Sequence, residues 1–184
     1  MLKFITSVFL YFSITCCLAQ DALPEDSLSD YSAISQTLSP LSQVFFKDVK
    51  CKLSIAEKNK ITGLLNFVIT KDSTQPYAMD KESLEFPFNA IVKVTDMNKD
   101  GMEEVFVQFG NAYTSGDAGS SVVLFIKNKK GDYQLNLGFP GMMPEFQKTF
   151  NLGYPDLLIG GPGFEQPVWR WNGKEYQFYK RVKM

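Results

Sequence analysis

Histidine is absent from all 184 residues. With it go the commonest general base, the usual partner of a nucleophilic hydroxyl or thiol, and the commonest zinc ligand. Ser120 and Ser121 therefore have no imidazole to activate them, which excludes triad-type hydrolysis, and the chain reads as non-catalytic. Cysteine is nearly as scarce, with three in all. Cys16 and Cys17 fall in a stretch expected to be removed, and Cys51 alone makes no intramolecular disulfide. A cystine-stapled fold is excluded, and Cys51 reads as a small buried hydrophobe. Neither sign of charge is in excess: 19 Lys and Arg stand against 20 Asp and Glu, a formal net charge of −1. Loss of Lys3 with the leader makes that −1 − 1 = −2. The longest basic cluster, Lys127, Lys129 and Lys130, sits in a turn. No basic stripe is available to neutralise a run of phosphates, so nucleic acid is excluded as a partner.

Only one long apolar run is present. It extends from Phe4 to Leu18 behind Lys3, interrupted by Thr6, Ser7, Ser13 and Thr15. It closes on Ala19, with small Cys17 two residues before, which is the small-x-small pattern of a secretory signal peptide over 1–19. A membrane span takes roughly 20 apolar residues and a basic stop-transfer flank, whereas acidic Asp21, Glu25 and Asp26 follow here. The expected protein is exported, periplasmic or extracellular. Thr15 before Cys16, and Cys16 before Cys17, favour simple cleavage over lipid anchoring. The remaining 184 − 19 = 165 residues suit one domain with a real core.

Residues 20–42, rich in Ser, Asp and Pro, read as a flexible lead-in to a single β-rich domain over 43–184. Leu41–Cys51 alternates weakly, as a first strand would. Ser54 and Glu57 form an S-x-x-E capping box that opens a short helix to Leu65, with Ile55, Ile61, Leu64 and Leu65 able to share a face. Asn66–Thr70 reads as a further strand, and Lys71–Pro87 as a polar connection. From Phe88 onward, apolar and aromatic runs alternate with Gly, Asn, Asp and Pro clusters. Strands are expected over Phe88–Val94, Glu104–Phe109, Val122–Asn128, Tyr133–Leu137, Tyr154–Ile159, Val168–Trp171 and Tyr176–Arg181. The fold class is therefore mainly β (α+β), an antiparallel meander behind a short N-terminal helix. A faint repeat runs through the second half. D-G-M-E-E-V from Asp100 aligns with L-G-Y-P-D-L from Leu152, so that Gly101 matches Gly153, Glu104 matches Asp156 and Val105 matches Leu157. Each copy ends in a turn before a tyrosine, K-K-G-D-Y133 in one and N-G-K-E-Y176 in the other.

The sharpest motif is D-M-N-K-D-G-M-E-E, from Asp96 to Glu104. Oxygen-bearing side chains at loop positions 1, 3, 5 and 9, with Gly101 at position 6, suit a hard cation that takes 6–8 oxygens. An EF-hand is excluded, because position 12 is Val107 and strand-like segments flank the loop where helices are required. A D-x-N-x-D-G-x-x-E loop in a β-hairpin resembles the FG-GAP or VCBS-type repeat of integrin-like propellers. That resemblance implies two propeller-blade-like units, one Ca²⁺, and as its ligands Asp96, Asn98, Asp100, Glu104 and the backbone carbonyl of Met102. The second copy keeps only Asp156, beside Pro155, so a single ion is expected. Over roughly residues 50–181, with P-D-L-L-I-G-G-P-G and P-V-W-R-W-N-G most specific, the chain is similar to uncharacterised secreted bacterial proteins built on single VCBS-like units.

Two further places read as ligand or partner surface: Tyr113 and Asp117 in the long polar loop Gly110–Ser121, and the strand-borne Trp169, Arg170 and Trp171. The two tryptophans share one strand face, so they are either an exposed aromatic pair or core. Gly160, Gly161 and Gly163 form no phosphate loop, since no G-K-S/T follows. Glu103 with Glu104, or Asp156 with Glu165, would serve as a glycosidase pair only if the fold joined them. The expected function is an exported, non-catalytic binding module stabilised by one calcium ion, for an unknown protein or carbohydrate partner. The alternative is an exported inhibitor or immunity-type protein that blocks an enzyme through its loops.

Overall fold

The computed structural model describes residues 37–160 and 165–183. The expected signal peptide over 1–19, residues 20–36 of the expected lead-in, and Gly161 and Gly163 lie outside the described residues. Ser39 starts the first element, accepting the Ser42 N–H at 3.1 Å ahead of Pro40 at the first helical position, where a missing N–H costs nothing. The helix that follows is α1, Pro40–Phe45. The strand expected from Leu41 is thus overturned, because the local cap outweighs a weak alternation. α2, Ile55–Leu65, is closed at its start by the Ser54–Glu57 capping box and at its end by Asn66 at φ +55°. Its inward face is Ile61 and Thr62, not the expected set: Ile55 and Leu64 are exposed. The Thr62 and Ser42 hydroxyls meet at 2.7 Å and tie the two helices together.

The structure is mainly β, with ten strands in three antiparallel sheets and no closed barrel among the described residues. A small hairpin pairs β1 (Val68–Ile69), inside the strand expected over Asn66–Thr70, with β2 (Tyr77–Ala78), which lies within the stretch expected to be irregular. Two four-stranded meanders follow. The first runs β3 (Ala90–Thr95), β4 (Glu104–Phe109), β5 (Ser121–Lys127), β6 (Tyr133–Pro140). The second runs β7 (Glu145–Asn151), β8 (Tyr154–Leu158), β9 (Glu165–Trp171), β10 (Tyr176–Lys183). In each, the spatial order of the strands is their order in the chain. β7 was not expected; its E-F-Q-K-T-F-N sequence is polar because it is a largely exposed edge strand. Between β4 and β5 lie a one-turn helix α3, Ala112–Ser115, and a 3₁₀ turn, Gly116–Ala118.

The layers stack as helices, first meander, second meander. Successive side chains of a strand point to opposite faces. Val105, Val107 and Phe125 therefore face the helical layer and pack with Phe45, Phe46, Ile61 and Phe67. Phe106, Val122, Leu124 and Ile126 face the second meander and pack with Leu157, Ile159, Trp171 and Tyr176. Fully burying one such side chain stabilises by about 1.5–3 kcal/mol. Both faces of β4 and β5 are dry, which is why E-V-F-V-Q-F and S-V-V-L-F-I-K read as runs rather than as alternations.

The repeat seen in sequence coincides with the topology: β3–β6 and β7–β10 are successive four-stranded meanders. The up-and-down course puts the turns β3–β4, β5–β6, β7–β8 and β9–β10 at one end of the stack. There Gly153 approaches Asn98, with 3.8 Å between the Asn98 Cβ and a Cβ built on the glycine. At a bulge in β6, Asn136 donates to the Lys174 carbonyl (3.1 Å) and accepts the Tyr176 N–H (3.0 Å), pinning the two meanders together.

Candidate metal centre

The β3–β4 connection turns sharply because Lys99 (φ +61°) and Gly101 (φ +88°) both take left-handed backbone. Its side chains fold inward over their own backbone. Asp96 accepts the N–H groups of Asp100 (3.1 Å) and Gly101 (2.9 Å). Asn98 accepts the Asp100 N–H at 3.2 Å and donates to the Asp100 carboxylate at 2.8 Å. Asp100 accepts the Met102 N–H at 2.8 Å. The alternate spacing thus gathers Asp96, Asn98 and Asp100 into one small cluster, with exposed Met102 at its exit.

Glu104 sits directly behind the loop as the first residue of β4 and is 2% exposed. Its two carboxylate oxygens are separately engaged. One accepts the Met97 N–H at 2.7 Å, the other the Tyr154 hydroxyl of the second meander at 3.0 Å. Burial pushes its pKa up to about 7. The two hydrogen bonds oppose that rise, and the nearby charges of Asp100 and Asp96 add to it. Burial and the same carboxylate also raise the Tyr154 phenol well above its usual range.

Among the described residues, no three His, Cys, Asp or Glu side chains stand together as a metal-ligating group. The oxygen set of the loop is two carboxylates and an amide, with Glu104 turned to Met97 and Tyr154. An all-oxygen donor set is the kind a hard cation such as Ca²⁺ takes.

The remaining candidate residues are scattered. Tyr113 is 62% exposed and stacks flat on Phe86 with ring centroids 3.8 Å apart. Asp117 is exposed in the 3₁₀ turn. Both lie at the end of the stack away from the acidic loop. Trp171 is buried, 4.5 Å from the Tyr154 ring, and Trp169 packs against the same core with its indole N–H buried and unpartnered. The tryptophan pair is therefore core. Arg170, on the opposite face, grips Asp156 with two hydrogen bonds of 2.9 and 2.7 Å, while Thr149 donates to the same carboxylate. Those bonds hold the Asp156 carboxyl below its usual range, against the opposing effect of burial. The Arg170 guanidinium also lies 3.7 Å over the Tyr179 ring. Asp156 is 0% exposed, so the two acids aligned by the repeat, Glu104 and Asp156, are both buried strand residues with different partners. Glu104 is held by Tyr154 and Asp156 by Arg170. Tyr154, which joins loop to core, was not singled out from the sequence; its signal was its place in the repeat, two residues before Asp156.

No protein-family model, curated protein or solved structure matches this chain. Among the described residues, no helix is long and apolar enough to cross a membrane.

Proposed function

We propose that this is an exported, non-catalytic binding module whose β3–β4 loop holds one calcium ion, and that the ion rigidifies the junction between two blade-like meanders. The observation that carries the reading is the buried Glu104 carboxylate, which faces the acidic loop on one side and the Tyr154 hydroxyl on the other. A cation held by Asp96, Asn98, Asp100, Glu104 and the Met102 carbonyl would offset the mutual repulsion of the three acidic side chains. Folding and metal binding are then linked. The FG-GAP/VCBS-like spacing supports the choice of ion. Export supports it too, because weak sites of about 10⁻⁴–10⁻³ M operate outside cells. The inhibitor reading is favoured by one feature, the exposed Phe86–Tyr113 stack, since exposed aromatics anchor protein partners.

The test is thermal unfolding of residues 20–184 in calcium and in chelator, beside an Asp100→Ala variant. A rise in midpoint with calcium that disappears in the variant is the expected result. An unchanged midpoint up to about 10 mM calcium, above the weak extracellular range, would sink the metal site. A stoichiometric complex with one enzyme that abolishes its activity would select the inhibitor reading.

A further inference from the structure

At the end of the stack that carries the acidic loop, the β5–β6 and β9–β10 turns face each other across a groove of about 570 Å³. Lys127, Lys129 and Lys130 line it from one turn and Lys174 from the other, with Trp171 at its inner wall. The sequence shows the first three lysines as a cluster; only the stacking of the two meanders adds the fourth. Both turns are held by an asparagine. Asn128 accepts the N–H groups of Lys130 (2.8 Å) and Asp132 (3.1 Å), and Asn172 accepts those of Lys174 and Glu175, each at 2.9 Å. The lysine backbones are therefore fixed in place.

The charge balance inside the groove is one-sided. Asp132 is the one carboxylate among the residues that line it. Lys127 pairs with Glu57, but among the described residues Lys129, Lys130 and Lys174 have no ion-pair partner within 4.0 Å. A cationic hollow on a chain of net negative charge is a local reversal of field that attracts anions. Its volume lies in the range of small-molecule sites, about 300–1,000 Å³, and exceeds what a bare ion fills. Lysine ammonium groups meet phosphate or carboxylate as point charges. The Gln134 amide and the Asn128 Nδ2 offer hydrogen-bonding groups for hydroxyls.

We propose that this groove binds an anionic sugar, a ring bearing phosphate or carboxylate groups. The inference rests on the binding-module reading and names its class of ligand. Titration calorimetry of the mature chain, in calcium, would use glucose 6-phosphate and a disaccharide of glucuronic acid as probes, with glucose and inorganic phosphate as controls. The expected result is saturable binding of at least one charged sugar, none of glucose, and at least tenfold weaker binding of phosphate. Lys129→Glu and Lys174→Glu, both exposed positions, should each weaken binding about tenfold, one unit of 1.4 kcal/mol, with unchanged unfolding midpoints. Which charged sugar binds separates the phosphate source from the carboxylate source.

Three results would overturn the groove: no saturable binding of either charged sugar, equal affinity for inorganic phosphate, or full affinity in both lysine variants. Should the groove fail while the calcium-dependent midpoint survives, the ligand class falls and the module reading stands. Release of phosphate from bound glucose 6-phosphate would support the groove and overturn the non-catalytic reading.

Discussion

The Tyr154 hydroxyl, at the start of β8, donates to Glu104, at the start of β4, across the interface of the two meanders at 3.0 Å. Removing it leaves a buried carboxylate oxygen without a partner, at a cost of about 1–3 kcal/mol. Tyr154→Phe should therefore lower the unfolding free energy by that amount, read as a lower urea midpoint, while keeping the aromatic contact with Trp171. An unaltered midpoint would show that the bond contributes nothing net.

Glu104 also predicts a pH dependence. Its folded pKa of about 7 lies above the ordinary 4.5, so the folded state holds the proton more tightly than the unfolded state. The resulting contribution is fully present below about pH 4.5 and is lost as pH rises through 7, on the order of 3 kcal/mol in all. In chelator, stability of the native chain should fall between pH 5 and about 7.5, and Glu104→Gln should flatten that fall. Added calcium should restore stability at the upper end, since a coordinating cation favours the ionised carboxylate. A Glu104→Gln profile identical to that of the native chain would remove Glu104 as the cause.

The Arg170–Asp156 pair predicts a different pattern. Arg170→Met strands the Asp156 carboxylate in a buried site, an effect of about 3 kcal/mol. The double variant Arg170→Met with Asp156→Asn should recover much of that loss, because no buried charge remains. Denaturant unfolding of the three variants forms a cycle, and strict additivity would show that the two residues do not couple.

Leu152 and Gly153 make the two-residue β7–β8 turn with φ of +48° and +87°, the type I′ geometry that favours Asn-Gly. Leu152 is 68% exposed, so its side chain contributes little burial. Leu152→Asn should raise stability by about 1 kcal/mol, the left-handed penalty of a leucine. A lower unfolding midpoint would mean that leucine has a contact role at this turn.

Much of this architecture was legible where chemistry is local. β4, β5 and β8 are written in branched and aromatic residues, and α2 announces itself through Ser54 and Glu57. The acidic loop shows in the spacing of Asp96, Asn98 and Asp100, because that spacing alone turns them together. α1 was hidden, since six residues give too short a period to outweigh the alternation of Leu41, Val44 and Phe46. β7 was hidden because an edge strand with exposed faces has no need of apolar residues. The partners of Glu104, Asp156 and Lys129 were out of reach for another reason. Arg170 reaches Asp156 through the register of β8 and β9, while Tyr154 and Lys174 arrive through the stacking of the two meanders, and neither relation is a matter of sequence spacing.

The central strands β4 and β5 are wetted on neither broad face, and the helices on one side share no core cluster with the second meander on the other. Each outer layer is therefore a roof over the same floor. If α2 lifts away, Val105, Val107 and Phe125 meet water, and the strands that carry Phe106 and Leu124 lose their footing against Trp171 and Leu157. Two parts of the chain that share no core cluster are thus coupled through the strands between them, and half of this repeat, cut out and expressed alone, would be a sheet with an oily side and nothing to cover it.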